Sequence, residues 1–185
     1  MDVSDLRKNA KLQIDGQPWM VTEFQFVKPG KGQGLYKCKL KNMISGSTVD
    51  RTYRSGEKLT EADVESRQMQ FLFATGDGYT FMDSETYEQV EVSADLIGTD
   101  SDYLLDQLGV DVLFYNARPV GVTLPSHVVM EVTECEPGVK GDTANGATKK
   151  ATVSTGYSLQ VPLFIKIGEK LKVDTRTGGY VERVN

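Results

Sequence analysis

Histidine occurs once in 185 residues, tryptophan once and cysteine twice, and these scarcities remove whole classes of chemistry. With His127 alone, neither a multi-histidine metal centre nor a catalytic arrangement needing a second histidine can be assembled, and His127 is read as structural. Cys38 and Cys135 lie far apart without a Cys-x-x-Cys spacing, and Cys38 falls on the apolar parity of its strand. Both are read as buried free thiols, and no metal or cofactor is expected. No apolar run approaches the roughly 20 residues that cross a bilayer. Met1-Asp2-Val3-Ser4-Asp5 is acidic where a secretory leader would be basic and then apolar. The expectation is a cytoplasmic protein without membrane contact.

What is present is ordinary in amount and uneven in placement. A content of 39% hydrophobic and 25% charged residues is that of a globular chain, long enough for one to three small domains. The net charge of −5 hides a partition. Residues 1–62 carry eleven Lys and Arg against seven Asp and Glu, residues 63–125 two against twelve, and residues 126–185 eight against seven. Any phosphate contact is therefore expected from the two ends, and the acidic middle faces solvent, protein or basic partners.

The stretch around which the chain is organised is Phe26-Val27-Lys28-Pro29-Gly30-Lys31-Gly32-Gln33-Gly34. Pro29 and Gly30 suit the two central positions of a type II turn, with Gly30 accepting the positive φ. Upstream, Met20, Thr22, Phe24 and Phe26 share one parity; downstream, Tyr36, Cys38 and Leu40 alternate with Lys37, Lys39 and Lys41. Both flanks read as strands of one hairpin with Lys31 at its tip. The Walker pattern needs Ser or Thr after the lysine, where this chain has Gly32, and the dinucleotide fingerprint fails in glycine spacing and in leading to a strand. A catalytic amine needs desolvation or close positive neighbours, which a glycine-flanked tip in water lacks. Two readings stay open on the loop alone: an ordinary hairpin lysine, and a cationic probe inserted into a partner or chemically extended.

In chain order, residues 11–14, an Asp15-Gly16 turn signal, the Lys31 hairpin and residues 49–53 give about five short strands, suiting a small SH3-like barrel. Lys37, Lys39 and Lys41 form a stripe that is either a solvated face or a phosphate contact. Residues 67–75, 79–82, 86–92, 111–115 and 119–124 read as further strands, and residues 101–109 as a helix between Ser101 as N-cap and a terminal Gly109. Boundaries are placed at residues 62 and 125. The last third has strands at residues 128–133, 151–154, 158–165, 170–174 and 180–184, an oligonucleotide-binding type of barrel. Its long polar loop at residues 137–150, containing Gly141, Asp142, Thr143, Asn145 and Gly146, is either a binding loop or a connector. Tyr180 and Arg183 offer a stacking ring and a phosphate fork, or equally a core tyrosine and a surface arginine.

Three groups of residues resemble the bacterial elongation factor P family over essentially the whole length. They are the tip itself; Lys150-Ala151, Gly156, Leu159, Val161-Pro162, Ile165 and Gly168; and Val173-Asp174-Thr175-Arg176-Thr177-Gly178 with Tyr180 and Arg183. The resemblance implies an all-β protein of three small barrels in an elongated, L-shaped arrangement. An SH3-like barrel at residues 1–62 is followed by two OB-fold-like barrels at residues 63–125 and 126–185. It implies a monomeric, non-enzymatic translation factor that binds the ribosome and ribosomal RNA beside the peptidyl-site tRNA and relieves stalling at consecutive prolines. On that pattern Lys28, Pro29, Gly30, Lys31, Gly32 and Gln33 approach the tRNA acceptor end. Lys31 is the residue a lysine-modifying enzyme extends, with a β-lysyl group in some bacteria and an aminopentanol in others. Gly141 to Gly146 would lie by the exit-site codon, and Tyr180 and Arg183 by RNA near the small subunit. Gly34 and Leu35 replace the family's common small-then-aromatic pair after the tip. The alternatives are a generic single-stranded RNA binder, in which Lys31 is one phosphate contact among several, and an enzyme that uses Lys31 covalently.

Overall fold

Period-two alternation dominates this chain, and in the computed structural model, which describes residues 1–138 and 146–185, it is realised as strands nearly throughout. Among the described residues fourteen strands form three curled sheets of four, five and five. The protein is all-β, with an SH3-like sheet at its start and OB-like sheets after it. The strands divide into two compact units, residues 1–67 with 112–121 and residues 68–111 with 122–185.

In the first unit β1 (Lys11–Ile14), β2 (Gln17–Val27), β3 (Leu35–Asn42) and β4 (Thr48–Arg54) pair in that order. Asp15 and Gly16 take φ of +51° and +72°, the two positive values that the tight β1–β2 turn requires. Val3, Leu6, Leu12, Val21, Cys38 and Leu40 form the core. In place of a fifth strand, the segment after β4 bonds back to the chain's start: Val3 N–H donates to Glu57 O, Leu59 N–H to Met1 O, and Ala62 N–H to Lys11 O. The single apolar parity expected from Met20 to Phe26 does not hold. A β-bulge between Val21 and Glu23 inserts Thr22 and exchanges the faces of β2, so Val21 and Phe24 both serve the core. Met20 instead joins a separate cluster of Met43, Tyr115 and Val120. Tyr115 also donates its hydroxyl to Gly16 O at 3.1 Å.

The middle sheet comprises β5 (Glu65–Ala74), β6 (Gly78–Asp83), β7 (Gln89–Ser93), β8 (Gly109–Tyr115) and β9 (Arg118–Thr123), ordered β7-β6-β5-β8-β9. The helix expected at residues 101–109 is absent. A one-turn helix, α1 (Ala94–Ile97), precedes that position, and a 3-10 turn at Gly98–Tyr103 covers only its first three residues. The leucines at helical spacing are recruited individually: Leu104 is buried, while Leu105 and Leu108 pack against the core of the last sheet. The backbone between them serves β5, with Gln107 N–H donating to Phe71 O and Phe71 N–H to Leu108 O, both at 2.9 Å.

The last sheet takes β10 (His127–Cys135), β11 (Thr148–Val153), β12 (Ser158–Pro162), β13 (Lys170–Asp174) and β14 (Tyr180–Val184) in the order β12-β11-β10-β13-β14. Alternate residues Val128, Met130, Val132, Leu171 and Val173 fill its interior. The strand expected over residues 158–165 stops at Pro162, and Ile165 enters the core from the following turn. Cys38 is buried as expected, whereas Cys135 is only partly so; both are free thiols. Tyr103 inserts into this same interior, edge-on to Tyr157 with centroids 5.3 Å apart. Burial, and then the hydrogen bond with Tyr157, hold the Tyr103 hydroxyl protonated far above the usual tyrosine range. Around it Tyr157 donates to Gly178 O at 2.9 Å, and Thr155 Oγ1 to Asp102 O and Thr175 Oγ1 to Pro125 O at 2.6 Å each. His127 is structural here: Nδ1 meets Ser126 Oγ at 3.0 Å and Nε2 lies 3.7 Å from Asp174 Oδ2.

Gly178 stands at φ +74°, where an added Cβ would collide with the hydroxyls of Tyr157 and Tyr103; Gly156, at φ +89°, faces open space. In equilibrium denaturation Gly156→Ala should cost about 1 kcal/mol, the left-handed backbone penalty alone, and Gly178→Ala about 3 kcal/mol. Equal costs would show that the tyrosine lock is not tight. Arg176, through its guanidinium and its backbone N–H, holds the Asp174 carboxyl well below the usual range. Its contribution is therefore complete at neutral pH and lost as pH falls below the ordinary carboxylate value, so Asp174→Asn should flatten the acid limb of the stability profile.

Candidate nucleic-acid interface

The register Val27↔Leu35 leaves residues 28–34 as the loop between β2 and β3. The hairpin reaches this loop beyond its aliphatic core because aromatic rings continue the packing. Phe24 and Phe26 flank Tyr36, with centroids 6.1 and 4.8 Å away, and Phe26 at the outer end is 48% exposed. The loop's exit is fixed by close approach. A Cβ on Gly34 would stand 2.6 Å from the Phe26 ring and 2.9 Å from Ser55 Oγ, so glycine lets the ring lie on the backbone there. Ser55 N–H donates to Gly34 O at 3.0 Å from the other side.

Lys28, Pro29, Gly30, Lys31, Gly32 and Gln33 are all exposed. The type II turn expected at Pro29-Gly30 does not form: the positive φ belongs to Gly32, at +133°, and Gly30 has none. A seven-residue closure is too wide for one four-residue turn to set its path, and the left-handed residue falls after the lysine instead. The Lys31 ammonium makes no hydrogen bond or ion pair to any described residue.

Behind the tip, Lys37, Lys39 and Lys41 share one face of β3 but differ in electrostatic state. Lys39 faces Glu23 and Asp50 across the two neighbouring strands, and its Nζ lies 3.0 Å from Glu23 Oε1. That hydrogen bond raises the Lys39 pKa above its ordinary value. Lys37 and Lys41, opposite uncharged Gln25 and Thr52 and uncharged Met20 and Thr48, are exposed and unpaired among the described residues. An open cleft of about 570 Å³ runs beside Lys37 and Lys39, bounded also by Glu23, Gln25, Asp50, Arg51 and Thr52. The Cys38 thiol, buried in the core, is pushed up in pKa by that burial, so it stays protonated and is no nucleophile.

In the second unit Gly141, Asp142, Thr143 and Asn145 lie outside the described residues, while Gly146, at φ +96°, leads into β11. Tyr180 opens β14 and packs, partly buried, on the core. Arg183 is half-exposed: Nη1 donates to Glu169 Oε1 at 2.9 Å, and the guanidinium carbon sits 5.6 Å from the Phe164 ring centroid. Phe164, 57% exposed, is a residue the sequence reading missed by placing it within a strand. The signal was Pro162 followed by Leu163-Phe164-Ile165, three apolar residues in a row that cannot all face inward. Among the described residues no cluster of His, Cys, Asp and Glu could hold a metal ion, and no helix is long and apolar enough to cross a membrane.

Three family models match consecutive parts of the chain: "Elongation factor P (EF-P) KOW-like domain" over residues 2–59, "Elongation factor P (EF-P) OB domain" over residues 64–122, and "Elongation factor P, C-terminal" over residues 128–183. The elongation factor P of Desulfosudis oleivorans is 52% identical over 183 residues, 99% of this chain and 98% of that protein. That of Desulfotalea psychrophila is 50% identical over 184 residues, 100% of this chain and 98% of that protein. Among solved structures, a eukaryotic translation initiation factor 5A from Methanococcus jannaschii aligns with a TM-score of 0.51 at 22% identity, covering 68% of this chain and 90% of that one, a likeness of fold.

The different states of the lysines can be read by brief acylation with an amine-reactive ester and peptide mass spectrometry. Acylation needs the neutral amine, so Lys39, with its raised pKa, should label more slowly than Lys31, Lys37 and Lys41. Glu23→Gln should accelerate Lys39 alone. Equal labelling of all four lysines in the parent would contradict the pairing.

Proposed function

Since the chain belongs to the elongation factor P family, whose members are translation elongation factors, we propose that it binds the ribosome beside the peptidyl-site tRNA and promotes peptide bond formation at consecutive prolines. One observation carries this reading: Lys31 stands exposed on a loop raised beyond its own core, with no described partner. A cation held in this way is available to a partner's phosphates and carbonyls. Prolyl substrates react slowly because the imino nucleophile and the strained donor rarely meet in productive geometry. A factor that fixes the acceptor end of the tRNA lowers that alignment cost and performs no bond chemistry itself. Catalysis stays with the ribosome.

On this reading the three barrels at residues 1–62, 63–125 and 126–185 act as a monomeric cytoplasmic strut. Lys28, Pro29, Gly30, Gly32 and Gln33 shape the loop at the acceptor end, and Lys37 and Lys41 supply the phosphate contacts behind it, with Lys39 held back by Glu23. The segment from Gly141 to Gly146, with Tyr180 and Arg183, serves the far RNA contacts. Lys31 is the target of a lysine-modifying enzyme, which requires the same exposure that the ribosome does.

Lys31→Ala should abolish nearly all stimulation of proline-run synthesis in a reconstituted translation system while ribosome affinity falls no more than about threefold, since the remaining cations still hold the factor in place. A small, uniform loss of RNA binding with proline-run synthesis intact would instead identify a generic RNA binder. The intact mass of the protein from its native host should show an addition confined to the peptide containing Lys31.

A further inference from the structure

The turn between β12 and β13 leaves an aromatic ring in water with a braced cation, Arg183, beside it. Ile165 enters the core completely, and its neighbours Phe164 and Ile167 remain 57% and 64% exposed. Lone exposed apolar side chains are common and need no cause. Phe164 differs because a cation is held over it by two further bonds. Glu169 accepts Lys166 N–H through Oε2 at 2.7 Å, which closes the turn, and accepts Arg183 Nη1 through Oε1 at 2.9 Å, which sets the guanidinium near the Phe164 ring. The Lys166 N–H, and then Arg183, keep the Glu169 carboxylate ionised below its ordinary range, so the brace persists at every physiological pH.

We infer that Phe164 is a stacking platform for one unpaired RNA base, with Arg183 and Lys166 meeting the phosphates on either side and Glu169 acting as the positioning residue. The inference rests on the ribosome-binding reading above and names a contact for it. Arg183 has five N–H donors, of which the Glu169 pair engages one, so it can bind phosphate without leaving the ring. A flat apolar face beside the Arg183 guanidinium, only one of whose donors Glu169 engages, suits a nucleobase on its charged backbone, whereas an apolar protein partner would offer the remaining donors no acceptor. A duplex is also a poor fit, since its bases are already stacked on one another. Tyr180, the more obvious stacking candidate, packs partly buried on the core and leaves less of its ring open than Phe164 does.

The test uses the full chain and proline-run synthesis on ribosomes, titrated with factor. Phe164→Ala and Phe164→Leu should each raise the half-saturating concentration about tenfold, the range of one lost base stack, with the rate at saturation unchanged. Phe164→Trp should restore parental affinity. The ring is exposed, so thermal unfolding of the three variants should match the parent. A benzophenone amino acid at position 164 should crosslink to RNA. Parental behaviour of Phe164→Leu, a crosslink to ribosomal protein, or parental affinity in Phe164→Ala would each overturn the platform. Failure of the underlying reading would show separately, in the parent chain and at Lys31, before any change at position 164.

Discussion

The stacking of Phe24 and Phe26 about Tyr36 is the interaction on which the rest depends, because it keeps the β2–β3 hairpin ordered where the aliphatic core has ended. A two-stranded ribbon is marginal in water unless side chains on one face hold it. Here the support passes outward from buried Val21 and Leu40 through rings of rising exposure to the half-exposed Phe26. Gly34 completes it by letting that last ring rest on the returning strand. A lysine on an unsupported ribbon would sample a wide volume, and the entropy of fixing it would fall on each binding event.

The second unit meets a related demand with hydroxyls and a ring. Tyr103 enters the interior of the last sheet, and Thr155 and Thr175 donate to the carbonyls of Asp102 and Pro125. Segments distant in sequence are thus joined by short bonds to backbone carbonyls, whose positions are fixed by the strands they belong to. Such bonds define one geometry more sharply than apolar contact, which tolerates sliding.

Sequence revealed most where pattern and chemistry are local. The Asp15-Gly16 turn, the alternation of β10 and β13 and the exposure of Lys31 follow from neighbouring residues alone. It misled where tertiary contacts override a period. The leucines at residues 104–108 imitate a helix face yet are recruited one by one, and the bulge at Thr22 leaves no trace in the apolar pattern because partly buried Met20 and buried Val21 pack in different clusters. At the candidate interface the residue types were legible and their partners were not. Only the fold brings Glu23 to Lys39 and Glu169 to Arg183, so which cations carry an ion pair is not written in residues that look alike in sequence.

The bulged strand also limits how the hairpin's length can change. Beyond Thr22 one face of β2 carries Phe24 and Phe26 and the other Glu23 and Gln25, so a single inserted residue would turn the rings outward and the polar set inward. Lengthening that preserves the faces must come in pairs on each strand, steps of about 7 Å. Reach by paired strand is therefore quantised, and finer steps fall to the unpaired residues 28–34, whose length is not bound to the alternation of faces.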